Sequence, residues 1–156
     1  MAELTLKDRN GGHVTLNGDV LEHFAASLRG ELVTPADSGY DEARTIWNAM
    51  IDKRPGLIAR CRGAADVIQA VNLAREHDLL VSVRGAGHNI AGNSLSDGGL
   101  LIDLSAMTSV HVDPEKRTAR AEPGVTLGDM DKETQAHGLA LPMGINTTTG
   151  LAGLTL

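Results

Sequence analysis

A glycine-rich stretch with one histidine and several hydrogen-bonding side chains is the part of this sequence best suited to bind a ligand. Residues 84–94 have the sequence RGAGHNIAGNS and follow a short apolar run that predicts a strand. Glycines placed after a strand let successive backbone N–H groups point at one anion, so the loop is suited to hold phosphate oxygens. Composition alone equally allows a plain glycine-rich turn at which two backbones pack closely.

Two common phosphate-binding motifs do not fit this loop. In the dinucleotide-binding fingerprint the third glycine would fall at Ile90. In a P-loop that starts at Gly87, Asn93 stands where a lysine must reach the β- and γ-phosphates. The sequence therefore argues against a Rossmann turn and against a nucleoside triphosphatase.

The remaining reactive residues form no recognisable catalytic or metal-binding pattern. Cys61 is the only cysteine, which excludes an internal disulfide and a thiolate metal site and favours a buried structural thiol. The other histidines lack the spacing of paired metal ligands, and no two acidic residues are set in a defined geometry. We therefore expect no metal, assign no catalytic residue, and expect any redox chemistry to need a cofactor.

Helices and strands alternate on both sides of the loop. The first predicted helix is capped by Asn17 or Asp19, ends at Gly30, and has an apolar stripe of Val20, Leu21, Phe24 and Leu28. We treat residues 1–39 as an N-terminal helical extension. A strand at 57–61, a helix over 64–77 and a buried strand at 79–83 then give a βαβ pattern. The apolar stripe of that second helix comprises Ala64, Val67, Ile68, Val71 and Ala74.

The second half of the chain predicts antiparallel strands and another helix. A buried strand at 100–104 precedes two short strands, 110–112 and 117–122, which are separated by turn-forming residues. Thr126 and Asp129 resemble a capping box for a helix that runs to about His137, with Gly138 in a left-handed position after it. The predicted fold class is mixed α+β.

Charge and composition narrow the possible partners. The chain has 156 residues, the length of one domain, and a formal net charge of -6 without any run of Lys or Arg. A nucleic-acid partner is therefore not expected. The first residues have no basic segment followed by an apolar one, and no apolar stretch is long enough to span a bilayer, so we expect a cytoplasmic protein without membrane contact. The apolar end at 144–156 predicts a chain cut inside a structural unit.

Five segments together resemble one known family. They are VRGAGHN from Val83, LIDLSAM from Leu101, VDP from Val112, EPGVTLGD from Glu122 and TGLAGLTL from Thr149. In this order they resemble the berberine bridge enzyme-like branch of the vanillyl-alcohol oxidase and p-cresol methylhydroxylase superfamily. The resemblance implies that residues 40–156 form the N-terminal part of a PCMH-type FAD-binding domain: a βαβ lobe, then a mixed or antiparallel lobe, truncated at the C-terminus.

The family's cofactor contacts can be transferred to matching positions. The resemblance implies that His88 bonds covalently to the 8α-methyl carbon of the flavin. Bicovalent members add a cysteine, but Asn146 occupies the aligned position here, so only the histidyl bond is expected. The implied contacts of the first loop are Arg84, Gly85, Ala86, Gly87, His88, Asn89 and Ser94. Those of the second loop are Asn146, Thr147, Thr148, Thr149, Gly150 and Gly153.

The resemblance also implies a reaction. A hydride passes from a small organic substrate to FAD, and the electrons then pass to oxygen or another acceptor. The substrate domain and the proton acceptor would lie outside this segment, so we expect no turnover by this segment alone. The alternative is a noncatalytic FAD- or ligand-binding fragment. Substrate, acceptor and oligomeric state stay open.

Overall fold

The computed structural model describes residues 1–156, which form a four-stranded sheet, two strand pairs and the helices that cover them. The first half contains β1 (Leu4–Lys7), β2 (His13–Leu16), α1 (Gly18–Ser27), β3 (Glu31–Val33), α2 (Tyr40–Ala43), β4 (Leu57–Arg60), α3 (Ala64–Glu76) and β5 (Val81–Arg84). The second half contains β6 (Leu100–Asp103), β7 (Val110–Asp113), β8 (Thr118–Ala121), α4 (Leu127–Gln135) and α5 (Leu151–Thr155).

The central sheet has the order β3-β4-β6-β5. β4 and β5 both pair in parallel with β6, whereas β3 pairs antiparallel with β4. The predicted βαβ unit is therefore confirmed, with β6 inserted between its two strands. The carboxyl ends of three parallel strands meet at one edge, where Asp103 is in register with both Arg60 and Arg84.

The core lies on both faces of this sheet. Leu57 and Ala59 of β4 face a larger cluster built with α1 and α3, while Ile58 between them faces a smaller cluster that includes Tyr40 and Leu95. β4 and β6 are consequently apolar at nearly every position, as expected of strands buried on both faces.

The first 39 residues contain more than the predicted helix. The helix is present, and the side chain of Asn17 caps it by accepting a hydrogen bond from the Val20 N–H at 2.9 Å. The hairpin of β1 and β2 was not predicted; it places Leu6 and Leu16 in the main core cluster. Gly30 does not end the helix, because Leu28 is the cap residue. Gly30 lies so close to Arg60 that a Cβ would sit 1.8 Å from its carbonyl oxygen.

Two predicted apolar surfaces are partly wrong. In α3, Ile68 and Val71 are exposed, whereas Asp66 is fully buried and accepts backbone N–H groups of Arg29, Gly30 and Arg62. Burial opposes ionisation of Asp66, but these hydrogen bonds outweigh it and lower the pKa of the carboxyl.

The strand predicted at 79–83 is an edge strand rather than a fully buried one. In β5 the side chains of Val81 and Val83 are exposed, and those of Ser82 and Arg84 are buried. Its position at the end of the sheet leaves one strand edge without a partner. Arg84 can be buried because it pairs with a residue of another strand. The pattern of apolar and polar residues within β5 does not reveal that partner.

The second half follows the sequence closely. β7 and β8 pair antiparallel, α4 begins with a complete capping box of Thr126 and Asp129, and Gly138 has a φ of 67°. The mixed α+β fold with a parallel lobe and a following antiparallel pair is confirmed. α5 was not predicted. No helix here combines the length and apolarity needed to cross a membrane.

Candidate functional site

The glycine loop leaves the sheet at the carboxyl end of β5. Gly87 and Gly92 have φ values of 72° and 71°, a left-handed conformation that glycine adopts without strain. Both also lie against apolar side chains: a Cβ on Gly92 would sit 2.6 Å from Ile51, and one on Gly87 3.2 Å from Ile46. Glycine is therefore required at these two positions, both by the backbone conformation and by the lack of room for a side chain.

A buried ion pair anchors the start of the loop. The Arg84 guanidinium donates to both carboxylate oxygens of Asp103, at 3.2 and 2.6 Å, and to the Thr45 carbonyl at 3.0 Å. Burial would raise the pKa of Asp103, but the hydrogen bonds and charge of Arg84 hold it below its usual range. Arg84 was predicted to contact the cofactor, yet it is not among the residues that line the cleft described below. Its side chain anchors the start of the loop through Asp103 and Thr45, and its contact with the cofactor stays a prediction.

The segment at residues 45–54 supports the loop from behind. Trp47 donates its backbone N–H to Gly87 at 3.2 Å, and the Asn48 amide donates to the Ile90 carbonyl at 2.9 Å. The Lys53 ammonium donates to the carbonyls of Gly92 at 2.8 Å and Leu95 at 3.1 Å. These supporting residues were missed from the sequence; the only available signal was that Trp47 is the single tryptophan.

The second predicted loop is held by the start of α4. The N–H groups of Leu127 and Gly128 donate to the carbonyls of Thr149 and Thr147, each at 2.9 Å. Within the loop, the Asn146 side chain accepts from the Thr148 N–H at 3.2 Å. This arrangement brings Gly150 against the first loop, where a Cβ would sit 2.8 Å from the Cβ of Ala86.

A cleft of about 410 Å³ lies between the two loops. Of the predicted site residues, the structure brings together Gly85, Ala86, Gly87, His88, Asn89, Ser94, Thr149, Gly150 and Gly153. It leaves out Arg84, Asn146, Thr147 and Thr148, which do not line the cleft. Sequence reasoning missed three lining residues: Val83, Asn93 and Leu154.

The cleft contains hydrogen-bond donors without partners. None of the backbone N–H groups at residues 85–89, which all line the cleft, donates to a backbone carbonyl. The Ser94 hydroxyl is buried and has no hydrogen-bond partner, an arrangement that costs about 1–3 kcal/mol unless a ligand supplies one. Together with the close approach of the loops at Gly150, these donors fit a slender ligand with phosphate oxygens, such as the pyrophosphate of FAD.

His88 is the only titratable side chain that lines the cleft. Its half-buried ring stacks on Trp47 with centroids 5.3 Å apart and an interplanar angle of 21°. No carboxylate, lysine or thiol shares the cleft, so the chain offers a single imidazole nucleophile there and no acid–base pair.

Cys61 takes no part in this site. It is fully buried in the main core cluster, and burial, reinforced by the charges of Asp66 and Asp103, raises its pKa to about 11. The predicted structural thiol is thus in place, and it is un-ionised near neutral pH. No group of three or more His, Cys, Asp or Glu side chains is arranged to hold a metal ion.

Comparison with known proteins agrees with this geometry. A family model described as an FAD binding domain matches residues 55–156. (R)-6-hydroxynicotine oxidase of Paenarthrobacter nicotinovorans is 42% identical over 130 residues, which cover 83% of this chain and 28% of that protein.

Solved structures show the same relationship. The crystal structure of 6-hydroxy-D-nicotine oxidase from Arthrobacter nicotinovorans superposes with a TM-score of 0.79 at 42% identity, covering 82% of this chain and 28% of that one. BBE-like 1 of Physcomitrella patens superposes with a TM-score of 0.77 at 25% identity, covering 85% and 29%. The chain thus spans less than a third of the length of these relatives.

The matched residues include both loops of the cleft, and the resemblance inferred from the five sequence segments is confirmed. The chain therefore belongs to the FAD-binding domain family, and its relatives are FAD-linked oxidoreductases.

Proposed function

We propose that the cleft holds FAD through its pyrophosphate and that His88 forms a covalent bond to the flavin. The observation that carries this proposal is the convergence of two loops on one cleft that contains unpartnered donors and a single imidazole. The backbone N–H groups at residues 85–89 and the Ser94 hydroxyl bind the phosphate oxygens. Gly150 keeps the opposite wall close without a side chain.

The covalent bond joins an imidazole nitrogen of His88 to the flavin 8α carbon. The imidazole loses its N–H hydrogen and the methyl group loses one hydrogen. Two electrons leave with them, and molecular oxygen takes up both hydrogens and both electrons as hydrogen peroxide. His88 lies on a loop whose backbone is fixed from behind by neighbouring residues, so the Cα from which the imidazole extends is held in place.

The redox reaction belongs to the cofactor. FAD supplies hydride acceptance from a small organic substrate and returns the electrons to oxygen or another acceptor. The chain's residues bind and orient the cofactor. Since His88 is the only ionisable residue of the cleft and is assigned to the flavin bond, we assign no residue of this chain as the proton acceptor. We therefore expect the chain by itself to bind FAD without turning over substrate.

A hybrid protein tests the covalent proposal. This chain replaces the matching segment of (R)-6-hydroxynicotine oxidase, and the product is precipitated with acid and washed. We expect yellow flavin in the pellet, and the His88→Ala variant should release all its flavin into the supernatant. Complete release from the unmutated hybrid, with a native circular dichroism spectrum before precipitation, would contradict the covalent bond.

A substrate panel separates an oxidoreductase from a noncatalytic binding fragment. The hybrid is mixed anaerobically with alcohols, amines and sugars, and bleaching of the flavin absorbance is followed. Bleaching by one substrate class supports the oxidoreductase. Tight FAD binding without bleaching by any compound that reduces the parent enzyme would favour the binding fragment.

A further inference from the structure

Trp47 is a large apolar residue in an unusual position. Its side chain is 63% exposed, and its ring stacks on the ring of His88. The chain has only one tryptophan, and because its indole is mostly exposed, burial of apolar surface contributes little to keeping it there. Its contact with the one ionisable residue of the cleft is therefore the feature that needs explaining.

The main chain around Trp47 is fixed to the loop that carries His88. Trp47 donates its backbone N–H to Gly87, the residue before His88, at 3.2 Å. On one side, the Thr45 carbonyl accepts from the buried Arg84 at 3.0 Å; on the other, Asn48 donates to Ile90 at 2.9 Å. The indole is thus attached to the same rigid support as the imidazole.

The imidazole has little else to fix its orientation. The recorded contact of the His88 ring is its stack on Trp47, whereas histidines that act as ligands or bases are ordinarily oriented by a hydrogen bond at the second nitrogen. Stacked aromatic pairs restrict the rotation of both rings.

We propose that Trp47 is a positioning residue that holds the His88 imidazole in the orientation from which it bonds to the flavin. This inference rests on the proposed function of His88. The stack limits rotation of the His88 side chain and keeps both ring nitrogens available, since an aromatic face contacts the ring without engaging its nitrogens. Trp47 itself takes no part in bond formation.

The first test examines the chain without FAD, by NMR. The ring-proton resonances of His88 should lie upfield of those of the exposed His13, because they lie over the indole. Trp47→Ala should move them to values like those of His13, and Trp47→Phe should have an intermediate effect. Met50→Ala, in the same segment and 87% exposed, is the matched control and should move neither. Unchanged His88 resonances in Trp47→Ala would overturn the proposal.

The second test follows the covalent bond. The chain is incubated with excess FAD in air, and flavin retained after acid precipitation is measured over time. The rate should fall about two- to tenfold in Trp47→Ala, the range of a stacked pair, and recover partly in Trp47→Phe. FAD affinity, measured in a His88→Ala background, should not change. Equal rates in Trp47→Ala and the unmutated chain would overturn the proposal.

The two tests also separate this proposal from the function on which it rests. If the unmutated chain and all variants form no covalent flavin, the covalent role of His88 in this chain is contradicted. The NMR comparison then decides alone whether Trp47 sets the orientation of His88.

Discussion

The two loops of the cleft are held in different ways. The first, at residues 85–94, starts at a buried ion pair and receives side-chain hydrogen bonds from Asn48 and Lys53. The second, at residues 146–150, is held mainly by backbone hydrogen bonds to the start of α4, and the helix that follows it, α5, has no buried residue.

This difference suggests that the two loops have different roles in ligand binding. The first loop has its donors fixed before any ligand arrives, so binding there costs little conformational entropy. The second loop forms a wall that can move by small shifts, because few buried contacts resist it. Changes behind the first loop should therefore affect stability, and changes in the second should affect binding.

The largest expected effect is on the anchor of the first loop. Asp103→Asn leaves Arg84 buried without a counter-charge and should lower the free energy of unfolding by about 3–5 kcal/mol. Asp113→Asn is the control, since its pair with Lys116 is exposed and should contribute little to stability. Urea denaturation measures both; equal losses in the two variants would show that Arg84 and Asp103 do not anchor the loop.

The same anchor predicts a pH dependence. The pKa of Asp103 is lowered in the folded chain, so its contribution is fully present above the ordinary aspartate pKa of about 3.9 and is lost as the pH falls through the lower folded value. Other aspartates with lowered pKa add to the acid sensitivity of the unmutated chain. Asp103→Asn should therefore show a shallower fall in stability below about pH 4. An unchanged slope would contradict this assignment.

The second loop should respond most strongly to added volume. Gly150→Ala places a Cβ 2.8 Å from the Cβ of Ala86, and relieving that clash should weaken FAD binding by about 1–3 kcal/mol. Gly39→Ala is the control, because its Cβ would meet nothing within 4 Å and it does not line the cleft. Calorimetric titration with FAD measures both. Adding Ala86→Gly to Gly150→Ala should restore part of the FAD affinity. If it does not, the clash with Ala86 is not the cause of the weaker binding.

Lys53 tests the support behind the first loop. Lys53→Met keeps the aliphatic chain but removes the hydrogen bonds to Gly92 and Leu95, and should cost about 1–2 kcal/mol of stability because the ammonium is only half-buried. The control is Lys116→Met, whose ammonium is exposed. Thermal unfolding compares them. A Lys53 variant as stable as its control would mean that the loop does not need this support.

Ser94 should give the smallest effect, with opposite signs for stability and binding. Ser94→Ala removes a buried hydroxyl that has no partner, so the free chain should be as stable or slightly more stable. FAD binding should weaken by about 0.5–1.5 kcal/mol, the net value of one hydrogen bond. Paired denaturation and titration experiments check this, and unchanged FAD affinity would remove Ser94 from the binding site.

Features that depend on residues close together in the sequence were predicted well. Contacts between residues far apart in the sequence were not predicted. The capping residues Asn17 and Thr126 and the left-handed Gly138 were predicted because each depends on neighbours along the chain. Arg84 was assigned to the cofactor by the resemblance, but its pairing with Asp103 was not foreseen because that carboxylate lies 19 residues away in another strand. Asp66 was overlooked for the same reason, since two of its donors are 36 and 37 residues distant.

The candidate site shows the same limit. The glycine loop and His88 stand out in the sequence, and the resemblance supplied the second loop. Spacing alone did not show that segment 45–54 packs behind the first loop, that Val83 is exposed at the sheet edge, or that Trp47 meets His88. Those contacts depend on the order of strands in the sheet, which places separate segments side by side.

Amide NMR of the isolated chain during titration with FAD tests the central claim most directly, because it reports weak binding residue by residue. We expect the backbone N–H resonances at residues 85–89 to shift first and furthest, with those around Gly150 following. Resonances of the groove between α1 and α3, which includes His23 and His77, should stay in place and serve as the internal control. If FAD shifts that groove, or shifts nothing at millimolar concentration while the spectrum is that of a folded protein, the cleft between the loops is not the FAD site.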